Sequence, residues 1–216
     1  MAEEPADPPS KRWVKPPPQE NVRAAVEKAV QALAGQSAQQ YIWLGAALRD
    51  GRWLLRVLDD TLAIDPADGS VATAAGLPVV PAWQVLVLHY LGVAARPAPR
   101  PPQVTFADLA SGRGYAGVYQ NRVIRRLCAT AGRDAATLAA AAERLGAGRI
   151  PGGDAAFAFT VFPRLTLHLV WHAPDEEFPP TATVLLPENV EELFCTEDIV
   201  VLCESLVARL SGRTFH

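Results

Sequence analysis

Residues 165–172 alternate between two sets of side chains, and this alternation constrains the possible folds more than any other feature of the chain. A period of two predicts a β-strand with one face on the core. Runs of the same type before residue 162 and after residue 180 predict neighbouring strands. The two sets of side chains are Leu165, Leu167, Leu169 and Trp171 on one face, and Thr166, His168, Val170 and His172 on the other.

Further strands are predicted in the first half of the chain. Asp50-Gly51 lies between two apolar runs, a pattern typical of a β-hairpin turn. The first run also suits a helix, but we favour a strand, because Trp43 and Trp53 would then face each other across the ladder. The turn at 65–69 indicates a third strand, and a short strand is expected at 104–106.

Helices are predicted around these strands. Residues 19–35 form an amphipathic pattern, which we expect to pack on a sheet. Residues 82–95 are apolar nearly all round, as in a buried core helix, and further helices are expected at 115–131 and 136–147. The last helix follows Thr196, a plausible N-cap. The fold class expected is α+β, with an antiparallel sheet, continuous or split, covered by helices.

Composition limits the domain organisation and the class of protein. The 216 residues have a net charge of -3, which does not favour binding to nucleic acid. Residues 1–18 hold six prolines and predict a disordered tail in which Trp13 is the one candidate for docking, so residues 19–216 would form a single domain. No apolar run has the length of a membrane helix. Three cysteines without a paired motif indicate reduced thiols and a cytoplasmic protein, with Cys195 and Cys203 as core residues.

Several short motifs follow one another along the chain. They are Leu-His-Tyr-Leu at 88–91, Phe-Ala-Asp-Leu at 106–109, Gly-Asp at 153–154, Phe-Pro-Arg-Leu at 162–165, Asp-Glu-Glu-Phe-Pro at 175–179 and Thr-Glu-Asp-Ile at 196–199. Together they resemble domain-of-unknown-function family 3786 of bacterial and archaeal proteins, over roughly residues 40–210. The resemblance implies one α+β domain without a settled activity. Some relatives carry an iron–sulfur segment that this chain lacks, so that role does not transfer.

Two arrangements of polar residues are candidate sites. The first joins the histidines with the acidic turn as a metal or acid–base site, although His168 and His172 would lie roughly 13 Å apart on a strand. The second is a polar cluster at the end of the sheet, in which Arg164 pairs with a carboxylate. The acidic turn is Asp175, Glu176 and Glu177, and the cluster is Arg164, Asp154, Glu176, Glu177, Glu197 and Asp198.

Aromatic residues beside that cluster predict a pocket for a flat or apolar ligand. Its expected lining is Trp83, His89, Tyr90, Tyr115 and Trp171. Because no nucleophile motif occurs, we expect a non-catalytic protein that binds a small molecule or a protein partner near the Asp-Glu-Glu turn. The alternatives are an enzyme that uses the same carboxylates, and a binder of a planar cofactor such as a tetrapyrrole with His89 as axial ligand. The sequence does not identify a cofactor.

Overall fold

A computed structural model describes residues 19–216, with side chains from residue 22 onward. The predicted N-terminal tail and Trp13 lie outside the described residues. The helices are α1 (Gln19–Leu33), α2 (Ala38–Trp43), α3 (Pro81–Leu91), α4 (Ala116–Tyr119), α5 (Arg125–Ala129), α6 (Ala135–Arg144) and α7 (Thr196–Leu210), with a π-helical turn (Gln120–Ile124) between α4 and α5. Short 3-10 turns occupy Phe106–Asp108, Arg113–Tyr115 and Val190–Glu192.

Two antiparallel sheets lie within this set of helices, so the α+β fold class is confirmed in its split form. The first sheet has the order β1-β2-β3-β4, and the second has the order β5-β9-β8-β7-β6. The strands are β1 (Ala47–Arg49), β2 (Arg52–Val57), β3 (Asp60–Asp65), β4 (Ser70–Ala72), β5 (Pro102–Val104), β6 (Gly148–Arg149), β7 (Ala155–Phe162), β8 (Leu165–His172) and β9 (Thr181–Pro187).

The predicted hairpin around Asp50-Gly51 is confirmed. Both residues have positive φ, at 49° and 78°, the backbone of the tight turn that suits the twist of two antiparallel strands. The strand predicted before it is shorter than expected and is confined to β1, because residues 38–43 form α2, which the Ser37 hydroxyl caps by accepting from the Gln40 amide. Trp43 therefore ends a helix, and the residue opposite Trp53 is Leu48.

Gly45 explains why the chain turns so sharply between α2 and β1. Its φ is +91°, and a side chain at this position would collide with Pro163 in the β7–β8 turn. The two sheets also meet directly, since the Leu58 amide after β2 donates to the Val161 carbonyl of β7 at 3.1 Å. These contacts place the first hairpin against the second sheet.

The alternation in β8 is confirmed by burial. Leu165, Leu167, Leu169 and Trp171 are buried, whereas the other four residues are partly or fully exposed. β8 pairs with β7 on one side and β9 on the other. The strand expected at 104–106 ends earlier, because Phe106 begins a 3-10 turn whose Thr105 and Asp108 form a capping box.

Helix α3 lies in the core and positions the site described below. Six of its eleven residues are buried, as its apolar sequence predicts. Helix α1 packs chiefly on α3, so the expectation that it lies on a sheet was wrong. One continuous cluster of buried side chains extends from α1 through both sheets to α7. None of the helices in the described part of the chain is both long and apolar enough to cross a membrane.

Candidate functional site

His89 of α3 and Asp198 of α7 lie within ion-pair distance of each other. The His89 Nδ1 and the Asp198 Oδ2 are 2.9 Å apart, and the side chains are 29% and 13% exposed. His89 is one of the few polar residues of α3, and Asp198 lies in the first turn of α7. Because the carboxylate fixes Nδ1 as a donor, Nε2 is free to accept a proton, and no described residue hydrogen-bonds to it.

Cys195 completes this group. It occupies the N-cap position of α7, where Thr196 was predicted, and its thiol donates to the same Asp198 oxygen at 3.1 Å. Sharing one acceptor places the Cys195 Sγ and the His89 Nδ1 within about 6 Å of each other. Cys195 is exposed, so its assignment to the core was wrong, whereas Cys203 is buried as expected.

Electrostatics keep Asp198 ionised and Cys195 protonated. Burial by itself would raise the pKa of Asp198, but the hydrogen bond and charge of His89, helped by Cys195, outweigh it and lower that pKa. Although Cys195 as a whole residue is exposed, partial burial of its sulfur is the main reason why the pKa of the thiol is raised, and the neighbouring Asp198 carboxylate adds to this effect. Cys195 is therefore a thiol donor at neutral pH and is not an activated nucleophile.

A small open cleft gives access to His89 and Asp198. Its volume is about 260 Å³. Apart from these two residues its walls are apolar and come from α1, α3 and the segment before α7, namely Ala29, Ala32, Leu88, Gly92, Val93 and Leu193. The polar side chains of the cleft are therefore those of His89 and Asp198.

Two of the aromatic residues predicted to line a pocket, Tyr90 and Trp171, instead support the core. Tyr90 is fully buried, stacks on Phe162 with a centroid distance of 4.4 Å, and donates to the Leu44 carbonyl. Trp171 is buried and donates to the Gly132 carbonyl at 2.7 Å. Trp83 is also buried, with its ring against Phe215. Of the five predicted residues, only His89 lines the cleft.

Glu197 belongs to a separate network on the other side of α7. The Tyr115 hydroxyl donates to one oxygen of Glu197 at 2.8 Å, and the Arg122 guanidinium donates to the other at 2.7 Å. The hydrogen bond to Glu197 raises the pKa of Tyr115. Arg122 also binds Glu204 two turns further along α7. This network joins the π-helical turn to α7.

The Asp-Glu-Glu turn lies in solvent. Asp175 accepts the backbone amides of Glu177 and Phe178, which closes the turn. Glu176 and Glu177 form no ion pair with any described residue, and Phe178 is 63% exposed. Such carboxylates in a turn are solvated groups.

Asp154 and Arg164 have structural partners of their own. Asp154 accepts the Ala173 amide at 2.8 Å near the end of β8. Arg164 donates from Nε to the Trp43 carbonyl at 2.6 Å and lies over the Trp43 ring at 4.1 Å. Among described residues Arg164 has no carboxylate partner, so the predicted ion pair was wrong. The predicted polar cluster is thus divided among several parts of the molecule.

The two histidines considered as metal ligands, His168 and His172, are not brought together with other ligands either. His168 and His172 lie on one face of β8, opposite Leu185 and Thr181 of β9. His172 is 3.9 Å from Asp154, and burial lowers the pKa of His168. Within residues 19–216 no three His, Cys, Asp or Glu side chains are arranged to hold a metal ion.

Sequence reasoning missed Cys195, although one signal pointed to it. An N-cap residue is often followed three positions later by an acidic residue that reaches back to the helix start. Cys195 and Asp198 have this spacing, whereas the residue three positions after Thr196 is Ile199. If Cys195 is taken as the N-cap residue, the spacing predicts that α7 begins at Thr196 and that the Cys195 thiol contacts Asp198.

Comparisons with known proteins identify the family of the chain but no activity. The profile described as "Domain of unknown function (DUF3786)" matches residues 38–209. The search of curated proteins and the search of solved structures gave no significant match.

Proposed function

The chain belongs to the DUF3786 family, whose description names no activity, and from the geometry of the cleft we propose that it is a small-molecule-binding protein whose ligand contacts His89. The observation that carries this proposal is the 2.9 Å contact between His89 and the nearly buried Asp198 in an otherwise apolar cleft. The proposed binding site therefore lies between α3 and α7 and not at the Asp-Glu-Glu turn.

The walls of the cleft define the class of ligand. When the imidazole is neutral, its Nδ1 donates to Asp198 and its Nε2 accepts, which suits a ligand with one hydroxyl or N–H group. The apolar walls suit a compact apolar body. A volume of about 260 Å³ is below the roughly 300–1,000 Å³ of pockets for drug-sized ligands, which favours a molecule smaller than a tetrapyrrole.

Phenol and anisole form a matched pair for the test, since only phenol can donate to Nε2. In a titration followed by amide and imidazole chemical shifts, phenol should perturb His89 and the amides of Leu88, Gly92 and Val93. Anisole should bind at least about tenfold more weakly, the size of one hydrogen bond to a polar group.

Two variants separate the site from its surroundings. His89→Phe keeps an aromatic ring but removes the acceptor, so it should abolish the preference for phenol. His172→Gln, on the exposed face of β8, should bind like the wild type. Equal binding of phenol and anisole by the wild type, or an unchanged preference in His89→Phe, would show that His89 is not the ligand contact.

Acid–base catalysis at the same pair is the second candidate function. A carboxylate that fixes Nδ1 prepares Nε2 to remove a proton from a bound molecule. A panel of proton-transfer and hydrolysis substrates would test it. Turnover that is lost in both His89→Gln and Asp198→Asn would support an enzyme, whereas turnover retained in both would contradict it.

We also propose a cytoplasmic location, because Cys128, Cys195 and Cys203 are all free thiols.

A further inference from the structure

A second and larger depression lies at the opposite ends of α3 and α7. Its volume is about 610 Å³, and we name it the arginine groove after Arg126, Arg209 and Arg213 in its lining. Trp83, also in its lining, is six residues before His89 on α3, a rise of about 9 Å. The two depressions share only the helices α3 and α7 and no lining residue.

The arginine groove carries a local excess of positive charge in a chain whose net charge is -3. Glu204 is the one carboxylate side chain among its described lining residues. Arg122 already holds Glu204 through Nε at 3.1 Å and Nη2 at 2.7 Å, while Arg126 reaches its other oxygen at 3.2 Å. Arg213 forms no ion pair with a described carboxylate. Since Arg122 also binds Glu197, Arg122 and Arg126 balance the two glutamates, and the uncompensated positive charge is that of Arg213.

Arg209 gives the groove a fixed wall. It is 7% exposed, and its Nη2 donates to both oxygens of Asp59 at 2.7 Å. Its guanidinium lies over the Phe215 ring at 4.3 Å, and Nη1 donates to the Arg213 carbonyl. The buried Nε has no acceptor among described residues.

Apolar side chains form the remainder of the wall. Val80, which is 39% exposed, lies with Ala82 at the start of α3. Val201 and Ala208 lie on the facing side of α7. Guanidinium groups next to an apolar surface match a molecule that has an oxyanion at one end and an apolar body at the other.

We propose that the arginine groove binds a small organic oxyanion, a carboxylate or phosphate attached to an apolar body. Arg126 and Arg213 contact the charged group, and the apolar wall covers the body. This site is separate from the one at His89, and either can exist without the other.

Benzoate, phenyl phosphate and uncharged benzamide distinguish charge recognition from apolar contact. In chemical-shift titrations both anions should perturb the amides of Ala82, Arg213 and Thr214, and added salt should weaken their binding. Benzamide should bind at least about tenfold more weakly, the loss expected when a charge-assisted hydrogen bond is removed. The stronger of the two anions identifies the charged group.

The variants are chosen to leave the buried Arg209–Asp59 pair intact. Arg126→Gln and Arg213→Gln should each weaken the binding of the stronger anion about tenfold. Arg49→Gln, on the exposed strand β1, is the matched control and should bind like the wild type. His89→Phe should also leave binding in the groove unchanged, so the groove and the cleft are tested separately.

Three results would overturn the proposal. They are the absence of any shift change in the groove with millimolar anion, equal binding of benzamide and benzoate, and unchanged affinity in both arginine variants. Circular dichroism spectra that match the wild type would establish that the variants are folded.

Discussion

The His89–Asp198 pair and the Asp-Glu-Glu turn contain carboxylates in opposite environments. Asp198 is 9% exposed and accepts from His89 and Cys195, which come from other positions in the chain. Asp175, Glu176 and Glu177 are exposed, and Asp175 bonds only within its own turn. A dense run of acidic residues in the sequence therefore does not locate a binding site. A single acid that becomes buried against a distant partner is more informative.

The largest effect should come from Asp198→Ala. Its removal leaves the His89 Nδ1 and the Cys195 thiol without their acceptor in a partly buried site. We expect the free energy of unfolding to fall by about 2–3 kcal/mol in urea denaturation. Asp154→Ala is the exposed control and should have a much smaller effect. Similar losses in the two variants would remove the contrast between the two environments.

Acid pH should reduce the contribution of Asp198. Its pKa is lower in the folded chain than its ordinary value of 3.8, because His89 and Cys195 outweigh the opposing effect of burial. The folded state then binds fewer protons at this group, so the stabilisation is present above the ordinary value and is lost as pH falls through the lower folded value. The stability difference between wild type and Asp198→Asn should therefore shrink between about pH 5 and pH 3. A difference that grows on acidification would contradict the lowered pKa.

A smaller effect is expected at Cys195. Thiols are weak donors, so Cys195→Ala should lower the free energy of unfolding by only about 0.5 kcal/mol. Burial raises the pKa of this thiol, so its alkylation by iodoacetamide should be slow at neutral pH. Because the Asp198 charge contributes to the raised pKa, Asp198→Asn should accelerate the reaction. Mass spectrometry of the Cys195 peptide measures this rate, and an unchanged rate would show that the carboxylate has no influence.

The smallest effect is expected in the acidic turn. The double variant Glu176→Gln and Glu177→Gln should leave the unfolding transition unchanged, because neither carboxylate has a described partner. The measurement is the same urea denaturation. A loss as large as that of Asp198→Ala would show that the turn is coupled to the core.

Local patterns in the sequence were sufficient where neighbouring residues determine the structure. The alternation of β8 sets its buried face, and Asp50-Gly51 sets the hairpin turn. The same approach failed for α2, because its short apolar run fits either a strand or a helix. Burial against other elements decided between them, with Tyr41 in the core and Gly45 against Pro163.

The candidate site was only partly predictable for a related reason. His89 and Asp198 could each be selected from sequence, but they are 109 positions apart. Nothing local indicates which histidine meets which carboxylate, so Asp198 was grouped with acids that lie elsewhere. The position of Arg164 was likewise decided by packing, since its partners are the Trp43 carbonyl and ring.

The hydrogen bond from Leu58 to Val161 has a consequence for how the two sheets open. The Leu58 amide is paired across the sheets, and its side chain is 5% exposed. Its exchange with deuterated solvent therefore requires the sheets to separate, whereas amides within β8 exchange when the second sheet opens. Comparing the exchange rate of this amide with that of Leu167 measures whether the two sheets unfold in one cooperative step.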